Sequence, residues 1–497
     1  MYMFQCDKRG VVRRHGMHKI YIKIFILFFM RRILAVLIIF VMLAPSLGEN
    51  VYNIKDSEEN ETTTSIATYD FLIIAPDQWL DSLQPFVDFK EMHNVKTKLV
   101  GLSECLKMNG RDDAEKVKYY IKYAYDTWEI KYVLLVGGRK PGFKERWWMP
   151  VRYVYNSFGS GFWAEPKFLS DLYFADLYDS NGNFQSWDTN NNGIYGEWRN
   201  GSVDKGIDLK PDVFIGRWPA RSEEEVKIVV EKTIDYEEHA YGSTWARRIV
   251  VAAGDTYPEY PSYEGEITTS EALQYLEGYN VTKLYTSDGT LKGWRDIVRE
   301  VNKGCGILYL DGHGNPMSWT THMPNSTEWI PDFKVTRMIY LKNNGMYPIC
   351  IVGGCHNSQF NVSFTNTFKI YEGIDKWYRY LYKGENSPEC WSWWITRKMG
   401  GGSVATLGCT ALGYTKEDKK SWDGATTWLE PHFFWEYGVN GTKIIGAVWG
   451  KDLRDYLNRY PIDWDSPPES DSAIDAKTVE EWVLFGDPTL PIGGYSD

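Results

Sequence analysis

The chain has 497 residues, 43% of them hydrophobic and 24% charged, a balance that suits a soluble globular protein with a large core and excludes extended disorder or a fibrous class. A formal net charge of −11 leaves no basic stripe to neutralise phosphates, so nucleic acid is excluded as a partner. Six cysteines follow residue 48 without paired metal-type spacing, which excludes a disulfide scaffold.

Residues 20–47 are apolar but broken by Lys23, Arg31 and Arg32. From Met30 the order is two arginines, an apolar run at 33–43 and small residues around Ser46 and Gly48, which is the order of a secretory signal with its cleavage site. On that reading 1–48 is an N-terminal extension plus signal peptide, with Met30 the true start. The competing reading is an uncleaved anchor, the only route by which this chain would touch a membrane. Both place the body outside the cytoplasm, secreted or at the cell surface.

Residues 49–66 are polar and acidic and read as a linker or short pro-segment. From residue 67, strand-length apolar runs alternate with helical patterns: FLIIAP at 71–76, a helix through Trp79, Leu83, Phe86 and Val87, KLVGL, a second helix, then YVLLVGG at 132–138. A Gly/Asn/Trp-rich insertion occupies 141–210, followed by the strand DVFIGR and a helix that opens with a capping box at Ser222 and Glu225. A second round follows: RIVVAAGD at 248–255, helices near 270–276 and 291–302, ILYLDGHG at 307–314, YPICIVGGC at 347–355 and GSVATLG at 402–408. The rhythm predicts an α/β fold of two doubly wound subdomains, 67–243 and 244–497, with mainly parallel sheets and flanking helices.

Open parallel sheets bind ligands beyond the carboxyl ends of their strands. Two strands end in Gly312-His313-Gly314 and Gly353-Gly354-Cys355. If they are neighbours, an imidazole and a thiol share one crevice, and His313 supplies the base that a mostly protonated thiol needs. The glycines let backbone N–H groups approach a developing oxyanion.

Five ordered blocks then carry a resemblance: YVLLVGG, FIGRWPARSEEEVKIVVEKTIDYE at 214–237, LDGHGNPMSWTTH at 310–322, CHNSQF at 355–360 and LFGDPTL at 484–490. The chain resembles the gingipain-type cysteine peptidases, which share a caspase-like fold with caspases and legumain. The resemblance implies a Cys355–His313 dyad, an oxyanion held by the N–H groups of Gly314 and Cys355, and Asp255 as the acidic residue near the histidine. It further implies substrate contacts from Thr268, Trp319, His322 and Tyr414. Family members that cut after Arg or Lys use an acidic residue where Thr268 stands here, so basic specificity is not expected from that position.

The insertion also holds Asp188, Asn190, Asn192 and Gly193 at the spacing of a calcium loop, with Arg199 at its twelfth position. Relatives bind calcium structurally, so a structural Ca²⁺ at Asp188, Asn190 and Asn192 is an expectation; the chemistry itself requires no cofactor. The expected function is a secreted cysteine endopeptidase acting on polypeptides through a thioester acyl-enzyme. A sortase-like transpeptidase and a catalytically silent peptide- or sugar-binding surface protein are the alternatives.

Overall fold

The computed structural model describes residues 68–158, 165–415 and 424–496; the export segment and linker expected within 1–66 lie outside them. Among the described residues no helix is long and apolar enough to cross a membrane.

The first sheet contains β1 (Phe71–Ala75), β2 (Thr97–Gly101), β3 (Tyr132–Val136) and β4 (Phe214–Trp218), in spatial order β2-β1-β3-β4 and parallel throughout. The second starts with β5 (Arg248–Ala253), β6 (Asn280–Tyr285) and β7 (Ile307–Asp311). The chain then forms a separate antiparallel sheet from β8 (His313–Asn315), β9 (Ser318–His322) and β10 (Trp329–Lys334). It returns to the second sheet as β11 (Ile349–Gly353), β12 (Ala405–Cys409) and β13 (Trp482–Phe485). Spatial order there is β6-β5-β7-β11-β12-β13, with only the β12–β13 pair antiparallel. The mainly parallel architecture is the one the apolar rhythm predicts.

Continuous apolar strands demand cover on both faces. α1 (Leu80–Met92), α2 (Asp113–Trp128) and α3 (Glu223–His239) belong to the first half; α4 (Glu264–Leu273), α5 (Trp294–Val301), α6 (Trp391–Thr396), α7 (Thr426–Gly438), α8 (Ile445–Arg459) and α9 (Asp471–Glu481) belong to the second. Strand alternation sorts the second sheet: Tyr309 and Ile351 join Phe433 and Phe434 of α7, whereas Leu310 and Val352 join Ile297 of α5 and Trp391 of α6. α4 begins six residues before the predicted 270. The Glu264 carboxylate accepts from Ser262 Oγ at 2.7 Å and Tyr257 N–H at 3.1 Å, and this fixes a first turn that the Tyr263-Glu264-Gly265 pattern does not advertise.

The aromatic insertion is folded, with a small sheet made by Tyr153–Asn156, Phe168–Leu169, Glu197–Arg199 and Ser202–Val203. Trp187 and Trp198 are fully buried, so these two rings pack a core and are not displayed for ligands.

The two most distinctive sequence blocks meet. A Cβ on Gly216 would lie 2.3 Å from Gly486 O, so the glycine of β4 is needed where the end of β13 passes over it. Nearby, buried Lys90 of α1 is gripped by Glu237 of α3 and Asp487, each at 2.6 Å. Both carboxylates hold the lysine charged despite complete burial. Removing the cation alone strands two carboxylates: Lys90→Met is expected to cost about 3–5 kcal/mol, read as a fall in the urea midpoint, with Lys90→Arg costing less.

Candidate active site

β7 and β11 are neighbours in register, Asp311 opposite Gly353, and Gly312 N–H donates to Gly353 O at 3.1 Å. His313 and Cys355 therefore each stand two residues beyond the same rung, on the same side of the sheet by strand alternation. Asp311, Gly312, His313, Gly314, Gly353 and Cys355 are all partly exposed at the ends of these two strands.

His313 Nε2 lies 2.7 Å from Thr256 O. A carbonyl only accepts, so Nε2 carries the hydrogen and Nδ1 keeps the basic lone pair. The ring is boxed by Tyr257 at 5.8 Å, Trp329 at 5.1 Å and His322 at 5.4 Å between centroids. This crowding, more than any charge, lowers its pKa to about 4 and keeps it neutral. Burial likewise pushes the Cys355 thiol up to about 12, helped by Glu481. The resting pair is thus a thiol and a neutral imidazole. The thiol points to Gly413 O at 3.8 Å. The Cys355 N–H donates to no protein acceptor among the described residues, which leaves it available to an oxyanion.

His356 takes a left-handed conformation (φ 60°) and donates its N–H to Ala411 O at 2.8 Å, turning the chain sharply after the thiol. Asn357 then bolts this turn to the histidine hairpin. Fully buried, it donates through Nδ2 to Asn315 O at 2.8 Å and Ser318 O at 3.1 Å. Its Oδ1 lies 2.4 and 2.2 Å from where Cβ atoms on Gly314 and Gly354 would stand. These glycines are therefore required by Asn357. Sequence reasoning missed this residue; its signal was an Asn two places after the cysteine in CHNSQF.

The remaining expected residues divide. Asp255 does not reach His313: its carboxylate accepts from Asn325 N–H at 2.7 Å, and the carbonyl of Thr256 takes the position against the imidazole. Trp319 is fully buried beneath Gly354, and His322, also buried, lies tilted against Trp329 with 3.8 Å between ring centroids; burial keeps both away from solvent. Thr268 is buried against the Asp311 carboxyl. Tyr414 is partly exposed beside the Gly413 wall, edge-on to Phe158 at 4.7 Å.

In the calcium-like loop the carboxylates have partners within the protein. Asp188 pairs with the Arg111 guanidinium and accepts from the N–H groups of Asn192 at 2.9 Å and Gly193 at 3.0 Å. Glu197, the nearest further carboxylate, is engaged by Arg199, Ser202 and Asn192. The donors that would face a cation are turned to N–H groups and to an arginine, and among the described residues no cluster of three or more His, Cys, Asp or Glu is placed to hold a metal.

Gly354→Ala is expected to displace Asn357 and lower the rate of Cys355 labelling by a peptidyl thiol-reactive probe on the order of 100-fold, as for an ångström-scale misplacement of a reacting group. Adding Asn357→Gly, which vacates the clashing atom, should recover part of that loss; an unchanged double variant would show that the clash is not the cause.

Comparison with known proteins accords with this geometry. Residues 65–493 match the profile of peptidase family C25. Gingipain R2 of Porphyromonas gingivalis is 21% identical over 295 residues, 58% of this chain and 32% of the relative, so the chain spans about a third of that protein's length. An uncharacterized protein of Archaeoglobus fulgidus is 23% identical over 227 residues, 41% of this chain and 48% of its own. The crystal structure of the Arg-specific cysteine proteinase gingipain R superposes with a TM-score of 0.58 at 17% identity, covering 85% of this chain and 78% of that one. The fold is that of the gingipains, and the chain belongs to peptidase family C25, a family of cysteine-type peptidases.

Proposed function

We propose that the protein is an exported cysteine endopeptidase that cleaves polypeptides after a basic residue. The observation that supports the reading is the β7–β11 register, in which His313 and Cys355 each follow the paired Asp311 and Gly353 by two residues. On this reading His313 Nδ1 takes the Cys355 proton as sulfur attacks the peptide carbonyl. The Gly314 and Cys355 N–H groups hold the oxyanion, and the imidazolium returns its proton to the departing amine as the C–N bond breaks. Water, deprotonated by His313, then hydrolyses the thioester. Export rests on the charge-then-apolar order at 30–48.

The preference for a basic residue rests on what lies one strand repeat below the dyad. Asp311 precedes His313 by two residues on the same face, and Gly353 so precedes Cys355. The missing side chain of Gly353 is replaced by the Glu430 carboxylate, whose oxygens lie 2.4 and 2.6 Å from where its Cβ would stand. Tyr309 donates to Glu430 at 2.8 Å. Neither Asp311 nor Glu430 has an ion-pair partner among the described residues; burial raises both pKa values, with Glu264 adding to the shift of Asp311 and Asp311 to that of Glu430. A two-residue strand repeat is about 7 Å, the reach of a lysine or arginine side chain. The Arg specificity of the superposed proteinase points the same way.

Fluorogenic peptides ending in Arg or Lys should be cleaved, those ending in Asp should not, and Cys355→Ala should abolish turnover. Glu430→Gln is expected to lower kcat/KM for basic substrates by about 30-fold, the equivalent of about 2 kcal/mol for one partner of a desolvated charge pair. Because the raised pair must lose its proton to bind a cation, KM for basic substrates should fall as pH rises from about 5 towards 8, while KM for neutral substrates stays flat. A folded enzyme that cleaves none of these peptides and resists peptidyl probes would favour the binding-protein alternative.

A further inference from the structure

The wall on which the Cys355 thiol rests is built on buried charges that the proposed reaction does not use. Lys477 of α9 is fully buried, and its ammonium meets Glu165 at 3.0 Å and Glu481 at 3.3 Å while donating to Leu412 O at 2.7 Å. Glu165 accepts the Leu412 N–H at 2.9 Å and pairs through its other oxygen with His356 Nε2 at 3.0 Å. Both polar groups of residue 412 are thus held by one ion pair, and the next carbonyl, Gly413 O, receives the thiol. Glu481 lies directly behind: one of its oxygens is 3.6 Å from where a Cβ on Gly413 would stand, and neither oxygen accepts a hydrogen bond. Tyr414 lays its ring over Lys477 at 4.9 Å, and the Cys409 thiol donates to Gly354 O at 3.3 Å.

We infer that Glu165, Lys477 and Glu481 are positioning residues that fix the wall at 411–414 and control the reactivity of the Cys355 thiol, Glu481 acting as a brake and Lys477 as its counterweight. A carboxylate disfavours a thiolate and an ammonium favours it. The two oppose one another across the same wall, in addition to the burial that leaves the thiol protonated at rest. A substrate with a cationic side chain adds positive charge to the crevice and tips this balance. The inference rests on Cys355 being the nucleophile; it does not depend on which peptides are cleaved.

The test is the rate at which iodoacetamide alkylates Cys355 in the full chain, followed by mass spectrometry of the peptide that contains it, over a pH series, with near-ultraviolet circular dichroism to verify folding. Glu481→Gln, nearly isosteric, should speed alkylation at pH 8 about tenfold, a shift of about one unit in the rate–pH profile. Lys477→Met should slow it by a similar factor, and Glu165→Asp should stay near wild type. Loosening of the wall alone would move both variants the same way, so a common direction overturns the inference, as does an unchanged rate in folded Glu481→Gln. Should Lys477→Met fail to fold, Glu481→Gln decides. Shifted rates without cleavage of any peptide would leave this inference standing and remove the peptidase reading; cleavage with unshifted rates would do the reverse.

Discussion

Everything at the candidate site hangs on one rung of a parallel ladder. Parallel strands cannot slip by a single residue without turning every side chain to the opposite face. The Asp311–Gly353 pairing therefore fixes two things together: His313 and Cys355 stand level beyond the sheet, and Asp311 and the Glu430 carboxylate stand level beneath them. The buried apolar rungs lower down, Ile307 with Ile349 and Tyr309 with Ile351, make that register costly to change. The chemistry is held by a hydrophobic core some distance from it.

Above the rung, short polar connections replace the ladder. Asn357 ties the cysteine turn to the β8–β9 hairpin, the Thr256 carbonyl selects the histidine tautomer, and the Lys477 ion pair clamps the wall across from both. Each of these partners comes from a different part of the chain. Buried polar groups of this kind add less to stability than to uniqueness of position, because each has few alternative partners once desolvated.

Most strands, their mainly parallel character and the two residues at their ends were legible in the sequence, because strand-length apolar runs and glycine-flanked polar residues are local signals; the edge strands β6 and β13 were not read. The strand ends DGHG and VGGC single out His313 and Cys355 without any tertiary knowledge. What stayed hidden was non-local. The hairpin over residues 313–334 was not predicted, since its strands are short and polar. Asp255 sits at a plausible strand end, yet the carbonyl one residue later faces the imidazole, and a carbonyl has no sequence signature. Glu430 and Lys477 lie on helices far along the chain, where a charge mid-helix reads as a solvated face until packing shows otherwise. The calcium-like spacing misled for the opposite reason: the local pattern is present, but Arg111, from another helix's start, supplies the cation.

The grip of Asp487 on Lys90 has a consequence in time. Lys90 lies on the first long helix, and one of its two counter-charges, Asp487, is made long after it. The neighbouring stretch brings Lys477 and Glu481 behind the Gly413 wall and β13 to the edge of the second sheet. A nascent chain therefore carries its histidine and cysteine for an interval without the parts that seat them. The order of the chain thus separates the making of the two strand ends from the making of the helix and strand that seat them.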